Sequence, residues 1–217
     1  MNGASTGLSI QNLACTRGYR ELFTGLNFNL QPGQVLRVEG ENGSGKTSLL
    51  RILAGLAQPE DGQVLWQGRA IKDPDARYFQ NLIYLGHRPG IKFELTPVEN
   101  LCMSRALFGH RSENGIEEAL YQIGLYGFEE IVSGNLSAGQ KRRVALAQLL
   151  LTQARIWILD EPYTSLDVAA ISFLETLFKQ HVQNGGILLI TSHQPVQVEG
   201  CDYQRLLLPG TELEQVA

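Results

Sequence analysis

The chain has 217 residues, of which 43% are hydrophobic and 18% charged, a composition typical of folded globular proteins that argues against a disordered chain. This length is sufficient for one domain, or for one domain with an inserted lobe, around a substantial core. The formal net charge of -4 gives no general reason to expect nucleic-acid binding. The three cysteines are few, odd in number and widely spaced, which argues against a disulfide framework and fits a reducing compartment.

The N-terminal stretch MNGASTGLSI has no basic start and no apolar core, so it does not predict a secretory signal. The longest apolar stretches, such as residues 187–190, are far shorter than the roughly 20 residues that a membrane-spanning helix needs. We therefore expect a chain that is soluble by itself and reaches a membrane only through a partner.

Strand-like and helix-like segments alternate along the chain, which favours an α/β fold. The predicted strands are QVLRVEG (34–40), GQVLWQG (62–68), LIYLG (82–86), RIWIL (155–159) and ILLIT (187–191). A helix is predicted after the first strand, in KTSLLRILAGL, and helical patterns dominate residues 97–151, where Pro97 and Asn114 suit helix starts. The pattern predicts an α/β core that is interrupted by a helical lobe.

The stretch GENGSGKT (40–47) follows a predicted strand and opens a predicted helix. Gly43 and Gly45 leave room for the backbone to wrap phosphate oxygens, Lys46 brings a positive charge to the β- and γ-phosphates, and the Thr47 hydroxyl is placed to coordinate Mg²⁺. An ordinary glycine turn would share the pattern, but its place between strand and helix favours a phosphate site. The predicted phosphate-binding residues are Gly40, Glu41, Asn42, Gly43, Ser44, Gly45, Lys46, Thr47 and Ser48.

Two acidic residues, Asp160 and Glu161, end the apolar strand in WILDEP (157–162). Ligands of open α/β sheets lie at the carboxyl ends of strands, and successive side chains point opposite ways, so the two carboxylates are expected to have different tasks. Asp160 suits the Mg²⁺ shell, directly or through water, and Glu161 suits polarising the water that attacks the γ-phosphate. Pro162 is expected to hold Glu161 extended. The alternative is a pair of solvated acids.

His193, in TSH, follows the strand ILLIT at the same predicted sheet edge. Lone histidines are often structural, but this position favours a catalytic role, a hydrogen bond to the γ-phosphate. The run LSAGQKRRVALAQLLL (136–151) places Lys141, Arg142 and Arg143 near a helix start, where positive charge is unfavourable. Either solvent and salt offset these cations, or this end of the helix meets an anion.

The phosphate loop, LSAGQ, WILDEP, TSLD and TSH occur here in the order and spacing of ABC transporter ATP-binding subunits, and the chain resembles that family over essentially its whole length. The resemblance implies a phosphate-loop NTPase core of about 1–88 and 155–217 with a mixed sheet, a helical subdomain of about 89–154, and ATP with Mg²⁺ as ligands. It further implies a head-to-tail dimer in which the signature residues Ser137, Ala138, Gly139 and Gln140 cap the partner's ATP. The basic run would lie beside that ATP, and Asp167 would belong to the loop that joins the two sites.

A narrower resemblance, in GHRPGIKFELTPVENL (86–101) and the signature run, is to the ATPase subunits of the bacterial cytochrome c maturation system. Most family members carry a glutamine where this chain has His87, and a glycine where it has Ala138. His87 either donates a hydrogen bond in place of the glutamine or packs. The family stacks adenine on an aromatic side chain, whereas Arg17 aligns there and Tyr19 follows two residues on, and either can stack.

The narrow resemblance implies a chain on the cytoplasmic face of the bacterial inner membrane, bound to polytopic haem-exporter subunits. ATP turnover would drive haem export or release of a haem-loaded periplasmic chaperone. The chain itself shows no haem-binding motif. The competing interpretations are a phosphate-loop kinase, a soluble nucleotide-gated clamp, and an ABC ATPase for another substrate such as a lipid or lipoprotein.

Overall fold

The computed structural model describes residues 7–108, 115–192, 198, 200–208 and 213–216. The strands are β1 Leu8–Arg17, β2 Arg20–Leu30, β3 Gln34–Gly40, β4 Asp61–Trp66, β5 Arg69–Ala70, β6 Leu82–Leu85, β7 Ile156–Asp160, β8 Ile187–Thr191, β9 Asp202–Leu208 and β10 Leu213–Val216. The α-helices are α1 Lys46–Leu53, α2 Pro97–Phe108, α3 Ile116–Gln122, α4 Ala138–Leu151 and α5 Val168–Gln183.

The larger sheet has six strands in the order β10-β9-β3-β8-β7-β6. The strands from β9 to β6 pair in parallel, and β10 adds an antiparallel edge, so the predicted mixed sheet is confirmed. Every residue of β7 and β8 is buried. Their uninterrupted apolar sequences predict this burial, since a parallel sheet is covered on both faces.

The smaller sheet is antiparallel and has the order β2-β1-β4-β5. The sequence predicts β4 but neither β1 nor β2. Register shifts interrupt the pairing of these two strands, and Leu8, Ser9 and Ile10 are buried in succession, so the alternation that marks a half-buried strand is lost. The hairpin that joins them pairs Arg17 with Arg20.

Two hydrophobic cores lie on opposite faces of the larger sheet. The first core joins that sheet to α1 and the smaller sheet, and α1 buries Leu49, Leu50, Ile52 and Leu53 in it. The second core lies under α5 and the helices α2, α3 and α4. The predicted helical region is confirmed, with α2 beginning at Pro97. Gly115 is the N-cap of α3, and Asn114 lies outside the described residues.

The carboxyl ends of β3, β6, β7 and β8 meet at one edge of the larger sheet, because these strands run parallel. This edge is therefore where loops after neighbouring strands converge. Within the described part of the chain, no helix combines the length and apolar character needed to cross a membrane.

Candidate active site

The glycine-rich loop joins β3 to α1 at this edge. A Cβ atom at Gly40 would lie 2.2 Å from the carbonyl oxygen of Leu208, so the neighbouring strand leaves no room for a side chain there. Gly45 has a φ of 106° and is the N-cap of α1, a conformation that glycine adopts without steric cost. The helix therefore begins at Lys46, directly after the loop, and its first N–H groups are available to an anion.

Two polar groups of the loop indicate what it is shaped to hold. The Lys46 ammonium donates to the carbonyl oxygens of Gly40 at 2.7 Å and Glu41 at 3.0 Å, so its charge lies across the loop. Ser44 is only 5% exposed, and its hydroxyl has no hydrogen-bond partner among the described residues. Unsatisfied buried hydroxyls are uncommon, and a phosphate oxygen would supply the missing partner.

Asp160, at the end of β7, receives two hydrogen bonds from hydroxyl groups. Thr47 Oγ1 donates to Asp160 Oδ2 at 2.8 Å, and Thr191 Oγ1 donates to Asp160 Oδ1 at 2.7 Å. Neighbouring oxygens in an octahedral Mg²⁺ shell lie about 3 Å apart, and Mg²⁺ usually takes one or two protein ligands alongside phosphates. The predicted magnesium ligands Thr47 and Asp160 therefore have suitable chemistry and separation. Thr191, which the sequence analysis did not single out, fixes the other carboxylate oxygen.

Glu161 follows Asp160 in an unexpected backbone conformation. Its φ is 50°, so the prediction that Pro162 holds it extended was wrong. A non-glycine residue in the left-handed region costs roughly 1–3 kcal/mol. Hydrogen bonds on both sides of the residue offset this cost. The Glu161 N–H donates to Thr191 at 3.0 Å (Oγ1) and 3.2 Å (carbonyl), and the Glu161 carbonyl accepts from Arg142 at 2.8 Å.

A cavity of about 530 Å³ brings most of the predicted site residues together. It is lined by part of the phosphate loop and the start of α1, by Asp160 and Glu161, by His87, and by Arg17, Arg20 and Leu22 of the hairpin. Of the two candidates for adenine stacking, Arg17 lines this cavity, whereas Tyr19 is fully exposed and does not. Arg20, which the sequence analysis missed, comes beside Arg17 because the hairpin pairs them.

His87 is exposed two residues after β6, at the junction of this cavity with a neighbouring groove of about 680 Å³. The groove contains Leu56 and Phe79, which are 57% and 52% exposed. His193 lies outside the described residues. A third cavity, of about 720 Å³, lies at the amino ends of β7 and β8 and contains none of the predicted site residues.

The signature residues begin α4 and lie on the surface. Ser137 Oγ accepts from the Gln140 N–H at 3.2 Å, and Gln140 Oε1 accepts from the Ser137 N–H at 2.8 Å, which together form a capping box. A Cβ at Gly139 would lie 2.6 Å from the Ser165 carbonyl oxygen, so glycine is required for this close approach. None of residues 137–140 lines the cavity that holds the phosphate loop.

The three cations of α4 bind within the chain, to groups that the sequence analysis did not consider among their possible partners. Lys141 donates to the Gly134 carbonyl at 2.8 Å and lies over the Phe93 ring at 5.2 Å. Arg143 forms an ion pair with Asp167. Asp167 also accepts from the Ala170 N–H at 2.9 Å and so caps α5.

Arg142 is 3% exposed, and among the described residues it donates to backbone carbonyls alone. Burial lowers the pKa of its guanidinium, while the nearby Asp160 and Glu161 carboxylates act in the opposite direction. Burial also raises the pKa of Tyr84, and the Asp160 carboxylate adds to that effect. The carboxyl edge of the sheet is therefore a partly desolvated site in which opposite charges are held close together.

Two solved structures of ATP-binding proteins share this fold. The chain superimposes with a TM-score of 0.81 on a dimeric post-hydrolysis state of the ATP-binding cassette MJ0796 bound to ADP and Pi, at 20% identity, covering 97% of this chain and 99% of that chain. A putative ABC transporter ATP-binding protein from Pyrococcus furiosus gives a TM-score of 0.77 at 24% identity, covering 93% of this chain and 97% of that chain. These similarities confirm the predicted phosphate-loop fold.

Sequence comparisons identify the family. Residues 23–164 match the ABC transporter family. The chain is 51% identical over 194 residues to the cytochrome c biogenesis ATP-binding export protein CcmA of Methylococcus capsulatus, covering 89% of this chain and 94% of that protein. It is 47% identical over 206 residues to the protein of the same name from Escherichia coli (strain K12), covering 94% of this chain and 97% of that protein. The chain therefore belongs to the ABC transporter family, as an ATP-binding and ATP-hydrolysing component.

Proposed function

We propose that this chain is the ATPase subunit of an exporter that serves cytochrome c biogenesis. The observation that carries the proposal is its identity of 51% over 194 residues and 47% over 206 residues with proteins named for that export process. ATP turnover then drives haem export or release of a haem-loaded periplasmic chaperone. The chain works at the cytoplasmic face of the bacterial inner membrane, bound to polytopic subunits.

The described residues of the phosphate site are assigned roles that agree with their contacts, whereas His193, which lies outside the described residues, takes its role from the family resemblance. Lys46 now bonds to loop carbonyls, and it turns to the β- and γ-phosphate oxygens when ATP enters. Thr47 and Asp160 hold Mg²⁺, which neutralises phosphate charge when it is bound. Glu161 accepts a proton from the attacking water. His193 donates a hydrogen bond to the γ-phosphate.

The signature residues act on the ATP of a second copy of this chain, in a head-to-tail dimer. Support comes from the exposure of Ser137 and Ala138 and from the absence of all four signature residues from the chain's own phosphate cavity. Because Ser137 Oγ accepts from Gln140 through a lone pair, its hydroxyl proton remains available to a γ-phosphate oxygen. The Gly139 N–H, at the start of α4, is a second donor.

The polytopic subunits contact residues 86–110, beside the groove that contains Leu56 and Phe79. Two half-exposed apolar side chains in a groove of about 680 Å³ are suited to an apolar segment of a partner. The groove shares Thr47, His87 and Asp160 with the phosphate cavity. A partner bound there therefore touches residues that also face the nucleotide.

Affinity purification from solubilised inner membranes tests this proposal. The tagged Glu161→Gln variant should bind ATP without hydrolysing it, accumulate as a dimer, and retain its membrane partners with a haem absorbance band. Glu60→Gln, an exposed residue before β4, is the matched control and should turn ATP over normally. Recovery of a different permease without haem would refute the cytochrome assignment and favour another transported substrate. Recovery of no membrane protein would favour a soluble clamp.

A further inference from the structure

The side chain of Arg142 joins two loops of the active site. Its Nη1 donates to the Gly86 carbonyl at 2.7 Å, next to His87. Its Nη2 donates to the carbonyls of Asp160 at 2.9 Å and Glu161 at 2.8 Å, and its Nε donates to that of Pro162 at 3.3 Å. One buried guanidinium therefore spans the carboxyl ends of β6 and β7, which are neighbours in the sheet.

These carbonyls need a donor from outside the sheet. The ladder between β6 and β7 ends with Leu85 and Leu159, so the carbonyls that follow have no strand partner in it. Buried carbonyls without a partner are costly. The planar guanidinium offers five N–H donors in a fixed fork, whereas a lysine ammonium offers three donors around a single point. The site is thus matched to arginine in shape as well as in charge.

Arg142 also bonds directly to the backbone of Glu161. The Glu161 residue lies in the left-handed region, with a φ of 50°. Its N–H is held by Thr191 and its carbonyl by Arg142. Without the bond to Arg142, the Glu161 carbonyl is left with the longer bond from the Thr164 N–H at 3.3 Å. The peptide is then freer to relax towards the extended conformation that a residue before proline prefers. Such a rotation would redirect the carboxylate away from the cavity that it lines.

We propose that Arg142 is a positioning residue, which holds the Glu161 carboxylate where it meets the attacking water. This inference rests on the proposed role of Glu161. Arg142 itself is absent from the lining of the phosphate cavity, so it acts through Glu161 and not on the nucleotide.

Steady-state ATP hydrolysis and nucleotide binding by the full chain test the proposal. Arg142→Lys keeps the charge but not the fork, and a displacement of about 1 Å at a catalytic group lowers turnover about 100-fold. The expected result is therefore a kcat lower by about that factor, with the affinity for a fluorescent ATP analogue within about threefold of the wild type. Arg155→Lys makes the same replacement at an exposed residue before β7, at the opposite end of that strand, and should change neither quantity.

A double-mutant cycle separates positioning from a general effect on folding. If Arg142 acts through Glu161, the Arg142→Lys/Glu161→Gln protein should hydrolyse ATP no more slowly than Glu161→Gln alone, within about twofold. Multiplied losses in the double variant would overturn the inference. Loss of nucleotide binding in both Arg142→Lys and Arg142→Gln would also overturn it, because Arg142 would then serve only to hold the fold. Wild-type turnover in Glu161→Gln would instead refute the proposed role of Glu161.

Discussion

Replacing Thr191 by valine should destabilise the protein strongly although the two side chains have nearly the same shape. Thr191 is completely buried at the end of β8. Its hydroxyl donates to Asp160 Oδ1 at 2.7 Å and accepts from the Glu161 N–H at 3.0 Å. Valine can do neither, so a carboxylate oxygen of Asp160, itself 2% exposed, loses its donor.

The cost is set mainly by the charged acceptor. A hydrogen bond to a charged group contributes about 1.5–3 kcal/mol, and a buried charged acceptor left unsatisfied lies at the upper end. The Glu161 N–H adds little to this cost, because it still donates a hydrogen bond to the Thr191 carbonyl oxygen at 3.2 Å. We therefore expect Thr191→Val to lower the free energy of unfolding by about 3 kcal/mol. Thr191→Ser keeps the hydroxyl and loses one buried methyl group, which costs about 1 kcal/mol.

Urea denaturation at pH 7 measures both variants against the wild type. The free energy of unfolding should be about 2 kcal/mol lower in the valine variant than in the serine variant. The Mg²⁺ concentration for half-maximal ATP hydrolysis should also rise in the valine variant alone, since Thr47 is then the one described residue whose side chain still donates to the Asp160 carboxylate. Equal stability of the serine and valine variants would refute the reasoning, because volume and not the hydroxyl would then decide the outcome.

Three further predictions concern charge and coupling. Lys46→Ala should reduce ATP hydrolysis more than about 100-fold by removing positive charge from the phosphates, and normal turnover in an ATPase assay would contradict the site assignment. His87→Gln should impair cytochrome maturation in cells more than basal hydrolysis in vitro, whereas unchanged maturation would exclude a coupling role for this exposed residue. Burial lowers the pKa of His181 to about 4, so the stability it contributes is complete above its unfolded pKa of about 6.5 and is lost as the pH falls towards 4. Between pH 7 and pH 5 the free energy of unfolding should therefore drop by about 2 kcal/mol through this residue, a drop that His181→Gln should lack in urea denaturation. Equal pH dependence in the two proteins would count against it.

Sequence patterns predicted those parts of the site whose structure depends on residues that are adjacent in the sequence. The strand before Gly40, the loop and the helix after Lys46 form one continuous segment, and the acidic pair directly follows an apolar strand. In each case a local pattern determines both the element and the edge of the sheet at which it ends. The same holds for Pro97 at the start of α2.

The features that the sequence did not reveal depend on residues far apart in the chain. Arg142 reaches Gly86 across 56 positions of the sequence. The sequence pattern showed only that its charge lies near a helix start, which left solvent or an anion as its expected partners. The hydroxyl of Thr191 meets Asp160 across 31 positions. Glu161 takes a left-handed conformation against its local preference because both of these distant residues hold its peptide groups. Local propensity yields where several tertiary hydrogen bonds oppose it.

Helix α4 connects the surface of the molecule to its catalytic edge through consecutive turns. Its exposed first residues carry the signature, and Arg142 lies little more than one turn further on, bound to the carbonyls beside Glu161 and His87. Arg143, the next residue, binds Asp167 at the start of α5. A rotation of α4 against the sheet would break the buried bonds of Arg142, so the helix, the loop at His87 and Glu161 are expected to move together. In the proposed dimer, contact between the signature residues and the ATP of the second copy would then displace the Glu161 carboxylate, which acts on the chain's own ATP. A membrane partner bound against His87 would displace the same three elements.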